Sequence, residues 1–370
     1  MKNKMRVGII FGGKSSEHEV SLLSAKAIYE SLDRDKYEPV LIGIDKNGSW
    51  HVRDKAQFLA YSEDPKRICL HGEKEELAII PERNSFFLTT LSASSAQPVI
   101  DVAFPIVHGT NGEDGTIQGL LKLAGIPFVG AGVLGSAVGM DKDVMKRLLR
   151  EAGIPVTRFL AFQDFQVDHI SFDAVAQDLG LPLFIKPANN GSSIGISKVS
   201  CEQEFTDAIT LAFAYDRKIL IEAFVQGREI ECSVMGNHDP IASVPGEVIP
   251  KDAFNSWDAK YVDQQCTFMI PALLDPGQLQ QIQALAIKTY QVLCCEGMAR
   301  IDCFLTDDGE FLVNEINTLP GFTKLSVFPR LWQASGISYS ELLDSLIQYA
   351  LERAQKEKFI TTLHRCLTRD

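Results

Sequence analysis

The segment "ARIDCFLTDDGEFLVNEIN", residues 299–317, carries the pattern that decides the fold around it. It predicts two strands joined at Asp308–Gly309, because an Asp-Gly pair favours a two-residue hairpin turn. The facing pairs that such a turn sets are Asp302 with Glu315 and Arg300 with Asn317. A β-bulge in either strand would spoil this register.

The four facing residues are expected on one side of the sheet, because cross-strand partners share a face and side chains alternate along a strand. Two carboxylates and an amide oxygen are hard ligands that suit Mg²⁺, which completes its shell with phosphate and water. The following turn "NTLPGFT", residues 317–323, offers backbone amides to an anion. We therefore predict a Mg²⁺ site beside an arginine; the alternative is a solvent-facing pair of charged strands.

A second segment, "KPANNGSSIGISKV" at residues 186–199, resembles a phosphate-binding loop at first sight. A Walker A loop has its lysine after the glycines and a helix behind it, whereas here Lys186 comes first and the alternating end predicts a strand. The segment therefore predicts a hairpin. Lys186 could hold phosphate oxygens while Gly191, Ser192 and Ser193 form a flap that closes over them. A plain surface hairpin is the alternative.

Two further segments fit a nucleotide site. Lys142 follows Asp141 at a predicted helix start and is a second phosphate candidate, although an isolated lysine is more often only solvated. The apolar run 219–221 precedes Glu222 and could wall an adenine pocket, and Glu229 could accept hydrogen bonds from ribose hydroxyls. Lysine, flap, apolar wall and metal hairpin together predict an ATP site.

The segment "GAGVLG", residues 130–135, is a rival signal because it matches the GxGxxG pattern of dinucleotide-binding domains. It raises the alternative of a nicotinamide-dependent oxidoreductase. The next candidate ribose carboxylate, Asp164, lies beyond the roughly 20 residues that the fingerprint requires. The residues suited to chemistry also lie elsewhere, so we favour the ATP site.

Composition and charge limit the class of protein. The chain has 370 residues, 45% of them hydrophobic and 23% charged, which fits a globular α/β protein of two or three domains. The net charge of −12 argues against nucleic acid or an anionic membrane as partner. No run approaches the roughly 18 apolar residues of a spanning helix, and no signal peptide is visible, so a soluble cytoplasmic protein is expected. The eight cysteines show no disulfide or metal spacing.

The order of strand and helix patterns predicts an α/β fold in three parts. The first opens with strand, glycine turn and helix, continues as a parallel sheet to about Gly139, and includes apparent loops around Glu73–Glu76 and at residues 92–98. The predicted domains are an N-terminal α/β substrate domain (1–139), a central lid domain (140–225) and a C-terminal domain with the metal and catalytic site (226–370).

Over essentially its whole length the sequence resembles the ATP-grasp superfamily and, within it, the D-alanine:D-alanine ligases. Eight motifs in the family's order carry the resemblance: "GGKSSEHEVS", "HGTNGEDGTIQG", "MDKDVMKRLL", "KPANNGSSIGISKV", "EAFVQGREIE", "DAKY", "ARIDCF" and "NEINTLPGFT". The resemblance implies an N-terminal parallel-sheet domain followed by two ATP-grasp domains with ATP between them. It also implies ATP as co-substrate, two Mg²⁺ or Mn²⁺ ions, D-alanine as substrate, a cytoplasmic location and a homodimer.

The resemblance also implies roles for single residues. For ATP these are Lys142 and Lys186 at the phosphates, Glu222, Ala223, Phe224 and Glu229 at the adenosine, and Ser193, Lys260 and Phe304 as further contacts. For the two metal ions they are Asp302, Glu315 and Asn317. For the amino acids they are Glu17 and His108 at the first D-alanine, Arg300 and the Gly321 amide at the oxyanion, Ser326 at the second D-alanine, and Ser192 and Tyr261 as partners of Glu17 across the closed site. His18 is expected to be structural.

The implied activity is ATP-dependent ligation of two D-alanines through a D-alanyl phosphate, for peptidoglycan and hence cell wall and cell shape. A D-alanine:D-lactate depsipeptide ligase is the alternative, although Tyr261 in "DAKY" matches the dipeptide version. A non-catalytic nucleotide-binding protein is a more distant one. Asn255, Trp257 and "TKLSV" at residues 323–327 depart from the family pattern and put loop closure and second-site affinity in doubt.

Overall fold

Three sheets follow one another along the chain. The computed structural model describes residues 4–367 apart from 54–58, 61–63, 65–66, 71–74, 83–84, 91–99 and 251–265. The first sheet has the strands β1 (Met5–Gly12), β2 (Tyr37–Ile44), β3 (Trp50–Arg53), β6 (Glu75–Glu82), β7 (Ser85–Thr90) and β8 (Val102–Pro105), while β4 (Leu59–Ala60) and β5 (Cys69–Leu70) pair with each other.

The middle of the first sheet confirms the predicted parallel arrangement. β1 lies between β2 and β8 and is parallel to both. Its residues from Val7 to Gly12 are buried, as expected for a parallel strand that is covered on both faces. Helices α1 (His18–Ser31), α2 (Thr116–Leu123) and α3 (Val133–Met140) belong to this part of the chain.

The other half of the sheet is antiparallel, in the order β7-β6-β3-β2. The prediction of a loop or an insertion around Glu73–Glu76 is wrong as a loop for Glu75 and Glu76, which begin β6 and pair with β3; residues 71–74 lie outside the described residues. The polar residues suggested a loop, whereas an apolar run directly behind them continues the strand. The predicted loop at 92–98 lies outside the described residues.

The second sheet is antiparallel, with the order β11-β10-β12-β9. Its strands are β9 (Phe159–Gln163), β10 (Leu183–Pro187), β11 (Ser197–Val199) and β12 (Lys218–Ala223), and helices α4 (Lys142–Glu151), α5 (Phe172–Leu179) and α6 (Glu202–Tyr215) come from the same stretch of chain. β10 and β11 pair antiparallel, which confirms a hairpin rather than a P-loop for residues 186–199.

The third sheet has the order β16-β15-β13-β17-β18, with β14 beside β13. Its strands are β13 (Gly227–Gly236), β14 (Ile241–Ala242), β15 (Gly246–Pro250), β16 (Cys266–Met269), β17 (Gly297–Thr306) and β18 (Phe311–Asn317), and the remaining helices are α7 (Pro276–Val292), α8 (Val327–Ala334) and α9 (Tyr339–Leu367). α7 begins with a capping box in which Asp275 and Gln278 satisfy each other's backbone amides.

Two hydrophobic cores join parts that are distant along the chain. Met145 and Leu149 of α4 pack into the core of the third sheet beside Ile282, although α4 lies within the predicted central domain. The last two helices bury Trp332 and Leu346 in the same core as Phe104 of the first sheet. The domain boundaries at 139/140 and 225/226 stay predictions; each sheet's strands fall within one predicted domain.

The segment 130–135 is a packing motif in this structure. The Gly130 carbonyl accepts a hydrogen bond from Arg353 Nη1 at 2.8 Å, and Gly297 lies so close that a Cβ there would meet the Gly130 backbone at about 3.0 Å. Gly135, in α3, faces the Cys294 carbonyl. The glycines therefore allow the first part of the chain to pack against the third, which explains the pattern without a dinucleotide.

Within the residues that the structure describes, no helix is both long enough and apolar enough to cross a membrane.

Two of the helical glycines, Gly135 and Gly119, allow a matched test of this packing. A Cβ at Gly135 would lie 2.7 Å from the Cys294 carbonyl, whereas a Cβ at Gly119 would meet nothing within 4 Å. We expect Gly135→Ala to lower the free energy of unfolding by about 1–3 kcal/mol and Gly119→Ala to raise it by up to about 1 kcal/mol. Denaturant unfolding of both variants measures this. Equal effects would contradict the close approach at Gly135.

Candidate active site

One cleft of about 1140 Å³ collects most of the predicted site residues from all three parts of the chain. Those that line it are Glu17, His108, Lys142, Lys186, Ser192, Ser193, Glu222, Ala223, Phe224, Glu229, Arg300, Phe304, Glu315, Asn317, Gly321 and Ser326. Asp302 lies behind the lining and is 3% exposed. Lys260 and Tyr261, like Asn255 and Trp257, lie outside the described residues.

The β17–β18 hairpin has the predicted pairs but not the predicted turn. The Thr306 amide donates to the Glu310 carbonyl, which leaves a three-residue turn with Gly309 at φ +87°. A turn one residue longer shifts the pairing by one residue, as seen in Cys303 opposite Val313. A β-bulge then shifts it back, so Asp302 faces Glu315 and Arg300 faces Asn317 as predicted. The longer turn and the bulge therefore cancel at the end of the hairpin that holds Asp302 and Glu315.

The bulge adds a residue that sequence reasoning did not find. Asn314 is the extra residue between Val313 and Glu315, and it lines the cleft together with Glu315. Its Oδ1 accepts a hydrogen bond from Lys186 Nζ at 3.3 Å. Regular alternation of side chains would put Asn314 on the face of the strand opposite to Glu315. The sequence pattern does not reveal the bulge that brings Asn314 to the cleft.

The two facing carboxylates are held by cations. Arg300 donates two hydrogen bonds to Asp302, each 2.7 Å long, and Lys142 Nζ lies 3.2 Å from Glu315. A third carboxylate, Glu231, is 3.2 Å from Arg300 Nε and sits beside Asp302 in the neighbouring strand. Glu231 was missed, although alternation in "REIECSV" puts it on the same face as the predicted Glu229.

The residue types at this end fit a Mg²⁺ ion. Asp302 and Glu315 face each other across the hairpin, with Asn317 two residues further along β18. Among the residues that the structure describes, no three His, Cys, Asp or Glu side chains are grouped closely enough to hold an ion by themselves. An ion here would therefore need oxygens from a bound phosphate and water, which is the usual shell of Mg²⁺ in proteins.

The start of α4 positions Lys142. Asp141 caps the helix by accepting from the Asp143 and Val144 amides, each at 3.1 Å, and Lys218 Nζ holds the same cap at 2.6 Å. The Lys142 ammonium donates to the Asn190 carbonyl at 2.7 Å. The predicted phosphate lysine is therefore fixed to the base of the flap.

Glu222 is shared by two lysines. Its carboxylate lies 2.8 Å from Lys186 Nζ and 3.2 Å from Lys146 Nζ. Burial alone would raise the pKa of Glu222, but the two ammonium groups outweigh it and lower that pKa. Lys146 is completely buried, and burial lowers its pKa to about 8. Lys146 was missed because only packing reveals which face of α4 is buried.

The flap reaches across the cleft. Ser192 and Ser193 both have left-handed backbone angles, φ 53° and 58°, which cost non-glycine residues energy. The Ser192 hydroxyl donates a short hydrogen bond to the Glu17 carboxylate, next to the start of α1. This contact offsets the backbone cost and joins the second sheet to the first part of the chain.

The surroundings of Glu17 favour its neutral form. Burial and the neighbouring Glu113 raise the pKa of Glu17, while His108 and the Ser192 hydrogen bond act in the opposite direction. His108 bridges Ser24 Oγ at 3.1 Å and Glu113 at 3.3 Å. His18 is buried, and its Nδ1 lies 2.8 Å from the Gly13 carbonyl, a structural contact.

The far end of the cleft brings Gly321 and Ser326 together. A Cβ at position 321 would lie 2.8 Å from Ser326 Oγ, so glycine is needed for this approach. Ser326 Oγ also accepts from the Thr323 amide at 3.0 Å. Glu229 and Phe304 face each other on neighbouring strands at the other end, where Ala223 and Phe224 also line the cleft.

Comparison with known proteins gives one consistent result. A family model described as D-ala D-ala ligase N-terminus matches residues 6–131, and one described as D-ala D-ala ligase C-terminus matches residues 148–348. The D-alanine–D-alanine ligase of Oceanobacillus iheyensis is 51% identical over 356 residues, covering 96% of this chain and 97% of that protein. D-alanine–D-alanine ligase A of Escherichia coli K12 is 48% identical over 360 residues, covering 97% and 99%.

Solved structures agree. The D-alanine–D-alanine ligase from Coxiella burnetii superimposes with a TM-score of 0.87 at 38% identity, covering 99% of both chains. The VanG D-Ala:D-Ser ligase from Enterococcus faecalis superimposes with a TM-score of 0.82 at 36% identity, covering 94% of this chain and 100% of that one. The fold and the sequence therefore point to the same family.

Proposed function

The chain belongs to the D-alanine–D-alanine ligase family, and we propose that it joins two molecules of D-alanine with ATP, releasing ADP and phosphate. The observation that carries the proposal is the composition of the cleft. Cationic side chains and the hairpin carboxylates lie at one part of it. Glu17, which accepts a hydrogen bond from Ser192 of the flap, lies at another part. Each group suits one part of the proposed reaction.

The nucleotide end holds and neutralises phosphates. Lys142 and Lys186 supply positive charge where the β- and γ-phosphates would lie, which is the main requirement of phosphoryl transfer. Asp302, Glu315 and Asn317 would hold the metal ions, which when bound neutralise further phosphate charge. Ala223 and Phe224 offer an apolar wall for the adenine ring.

The first step forms an acyl phosphate. Glu17, with His108 nearby, holds the ammonium of the first D-alanine and so points its carboxylate toward the lysines. A carboxylate oxygen bonds to the γ-phosphorus while the bond to the bridging oxygen of ADP breaks. Positioning supplies most of the acceleration, because no protein nucleophile takes part.

The second step forms the dipeptide. Ser326 holds the carboxylate of the second D-alanine, whose neutral amine attacks the acyl carbon. The attack forms the carbon–nitrogen bond, and Arg300 and the Gly321 amide stabilise the negative oxygen of the tetrahedral intermediate. The carbon–oxygen bond to phosphate then breaks, and the nitrogen loses one proton to the departing phosphate. The closed flap keeps water from the acyl phosphate, which would otherwise hydrolyse.

A D-alanine:D-serine ligase is a second candidate, because the VanG D-Ala:D-Ser ligase shares this fold at 36% identity. The D-alanine:D-lactate ligase is the remaining alternative, and Tyr261 in "DAKY" argues against it. Competition among D-alanine, D-serine and D-lactate at the second site separates the three. We further propose a cytoplasmic location, where ATP is available, and use of the dipeptide in peptidoglycan synthesis.

We also propose a homodimer formed through α2 and α3. These neighbouring helices expose Leu120, Leu123 and Leu134, with Leu123 90% accessible, and exposed leucines on adjacent helices favour an interface. We expect Leu123→Glu to shift the sedimentation coefficient to that of a monomer. Phe165→Glu, at an equally prominent site in the central part of the chain, should leave the dimer intact; a monomeric wild type would contradict the proposal.

The function is tested by incubating the protein with ATP, Mg²⁺ and D-alanine and measuring dipeptide by mass spectrometry and ADP by a coupled assay. We expect one ADP per dipeptide. Asp302→Asn should lower kcat/KM by about 100-fold or more, because Asp302 is both a proposed metal ligand and the partner of Arg300, and the substitution removes its charge. Asp307→Asn, in the exposed turn of the same hairpin, should behave as wild type. Intact ATP and no dipeptide in the wild type would refute the function.

The raised pKa of Glu17 predicts a pH dependence. Below that pKa Glu17 is neutral and holds an ammonium poorly, so kcat/KM for the first D-alanine should fall as pH drops, beginning above the usual range of a glutamate. Ser192→Ala should move this fall to higher pH, because the hydrogen bond that favours the ionised form is lost. Glu113→Gln should move it to lower pH, because a like charge is lost. Shifts in the same direction would contradict the assignment.

A further inference from the structure

We propose that Lys146 is a positioning residue for the nucleotide: it holds one oxygen of Glu222, so that the Lys186 ammonium on the other oxygen is not fully neutralised and stays directed into the cleft. The inference deepens the proposed function and rests on it. Lys146 itself is not part of the cleft lining, so it would act through Glu222.

The geometry shows one carboxylate between two ammonium groups. Glu222 Oε1 is 3.2 Å from Lys146 and Oε2 is 2.8 Å from Lys186. Glu222 is 3% exposed and Lys146 not at all, so the ion pair between them is shielded from water, whereas Lys186 faces the cleft. Lys186 Nζ also donates a hydrogen bond to Asn314 Oδ1 at 3.3 Å, and Lys186 lines the cleft.

The arrangement leaves a surplus of positive charge. With both lysines charged, the cluster of Lys146, Glu222 and Lys186 carries a net charge of +1. Without Lys146, Glu222 and Lys186 would form a neutral pair, and the carboxylate would draw the ammonium away from a phosphate. A buried lysine is costly unless it is paired. Glu222 supplies that pair for Lys146, and the surplus positive charge lies with Lys186 on the side of the cleft.

The groups that face Lys146 come from four strands of two sheets. Glu222 lies on β12, Lys186 on β10 and Glu315 on β18, and the Phe159 ring of β9 is 6.0 Å from Nζ. Burial lowers the pKa of Lys146 to about 8, and Glu222 and Glu315 act against this shift. The residue should therefore be charged at pH 7 and mostly neutral at pH 9.

The change in the charge of Lys146 between pH 7 and pH 9 distinguishes a positioning role of this residue from a purely structural one. If Lys146 only docks α4, nucleotide affinity should not follow its ionisation. If it tunes Lys186, affinity should fall as pH rises through about 8. Lys146→Arg keeps the charge at high pH, and Lys146→Met removes it at every pH while keeping an unbranched side chain.

The test is ADP binding measured by calorimetry between pH 7 and pH 9, together with the KM values for ATP and D-alanine. At pH 7 we expect Lys146→Met to weaken ADP binding and to raise the KM for ATP by about ten-fold or more, since hydrogen bonds between charged groups have such values. The KM for D-alanine should stay unchanged. Lys356→Met, an exposed lysine paired with Glu352, is the matched control.

The pH profiles decide the outcome. Wild type should lose affinity toward pH 9, Lys146→Met should show no such loss, and Lys146→Arg should retain high affinity throughout. If Lys146→Met fails to fold, the profile of Lys146→Arg against wild type still decides. Identical profiles for these two would overturn the inference. A wild type that binds no ADP at any pH would instead refute the proposed function.

Discussion

The carboxylate of Glu222, shared between Lys146 and Lys186, is the interaction on which the arrangement of the cleft depends. Lys146 belongs to α4, whose apolar face packs in the core of the third sheet, whereas Glu222 and Lys186 belong to the second sheet. The ion cluster therefore joins two separately packed units. Lys218 makes the same connection at the start of α4 through Asp141. Buried ion pairs contribute more to a defined geometry than to stability, and here they hold Lys142 and Lys186, the proposed phosphate-binding lysines, in position at the cleft.

The sequence predicted the strands and the hairpin pairs because alternation and turn residues are local properties. It did not predict the three-residue turn or the bulge at Asn314, since each depends on backbone angles that no single residue type demands. The correct pairing of Asp302 with Glu315 thus rests on two deviations that cancel. Lys146 was beyond reach for another reason: burial of a helix face depends on the sheets that cover it. The glycines of residues 130–135 matched a nucleotide pattern, yet their spacing serves helix packing against Cys294 and Gly297.

Charged groups of the cleft have internal partners of opposite sign or a hydrogen bond. Asp302 is held by Arg300, Glu315 by Lys142, and Glu17 by Ser192. Ligands would therefore enter by exchange of partners, so that a metal ion competes with Arg300 for Asp302 and a phosphate competes with Glu315 for Lys142. Glu231 gives Arg300 a second carboxylate that is not among the predicted metal ligands. Preformed pairs of this kind keep the side chains near their working positions and limit the ordering that binding requires.

The hydrogen bond from Ser192 to Glu17 has a consequence for the order of events. Flap closure stabilises the ionised form of Glu17, and the ionised form is the one that attracts an ammonium. By thermodynamic linkage, whatever favours closure must then strengthen the hold on the amino acid, and the amino acid must favour closure to the same degree. Lys186 lies at the base of that flap and Lys142 is tied to it through Asn190. In the proposed mechanism, a single hydroxyl thus couples the occupancy of the amino-acid part and the nucleotide part of one cleft.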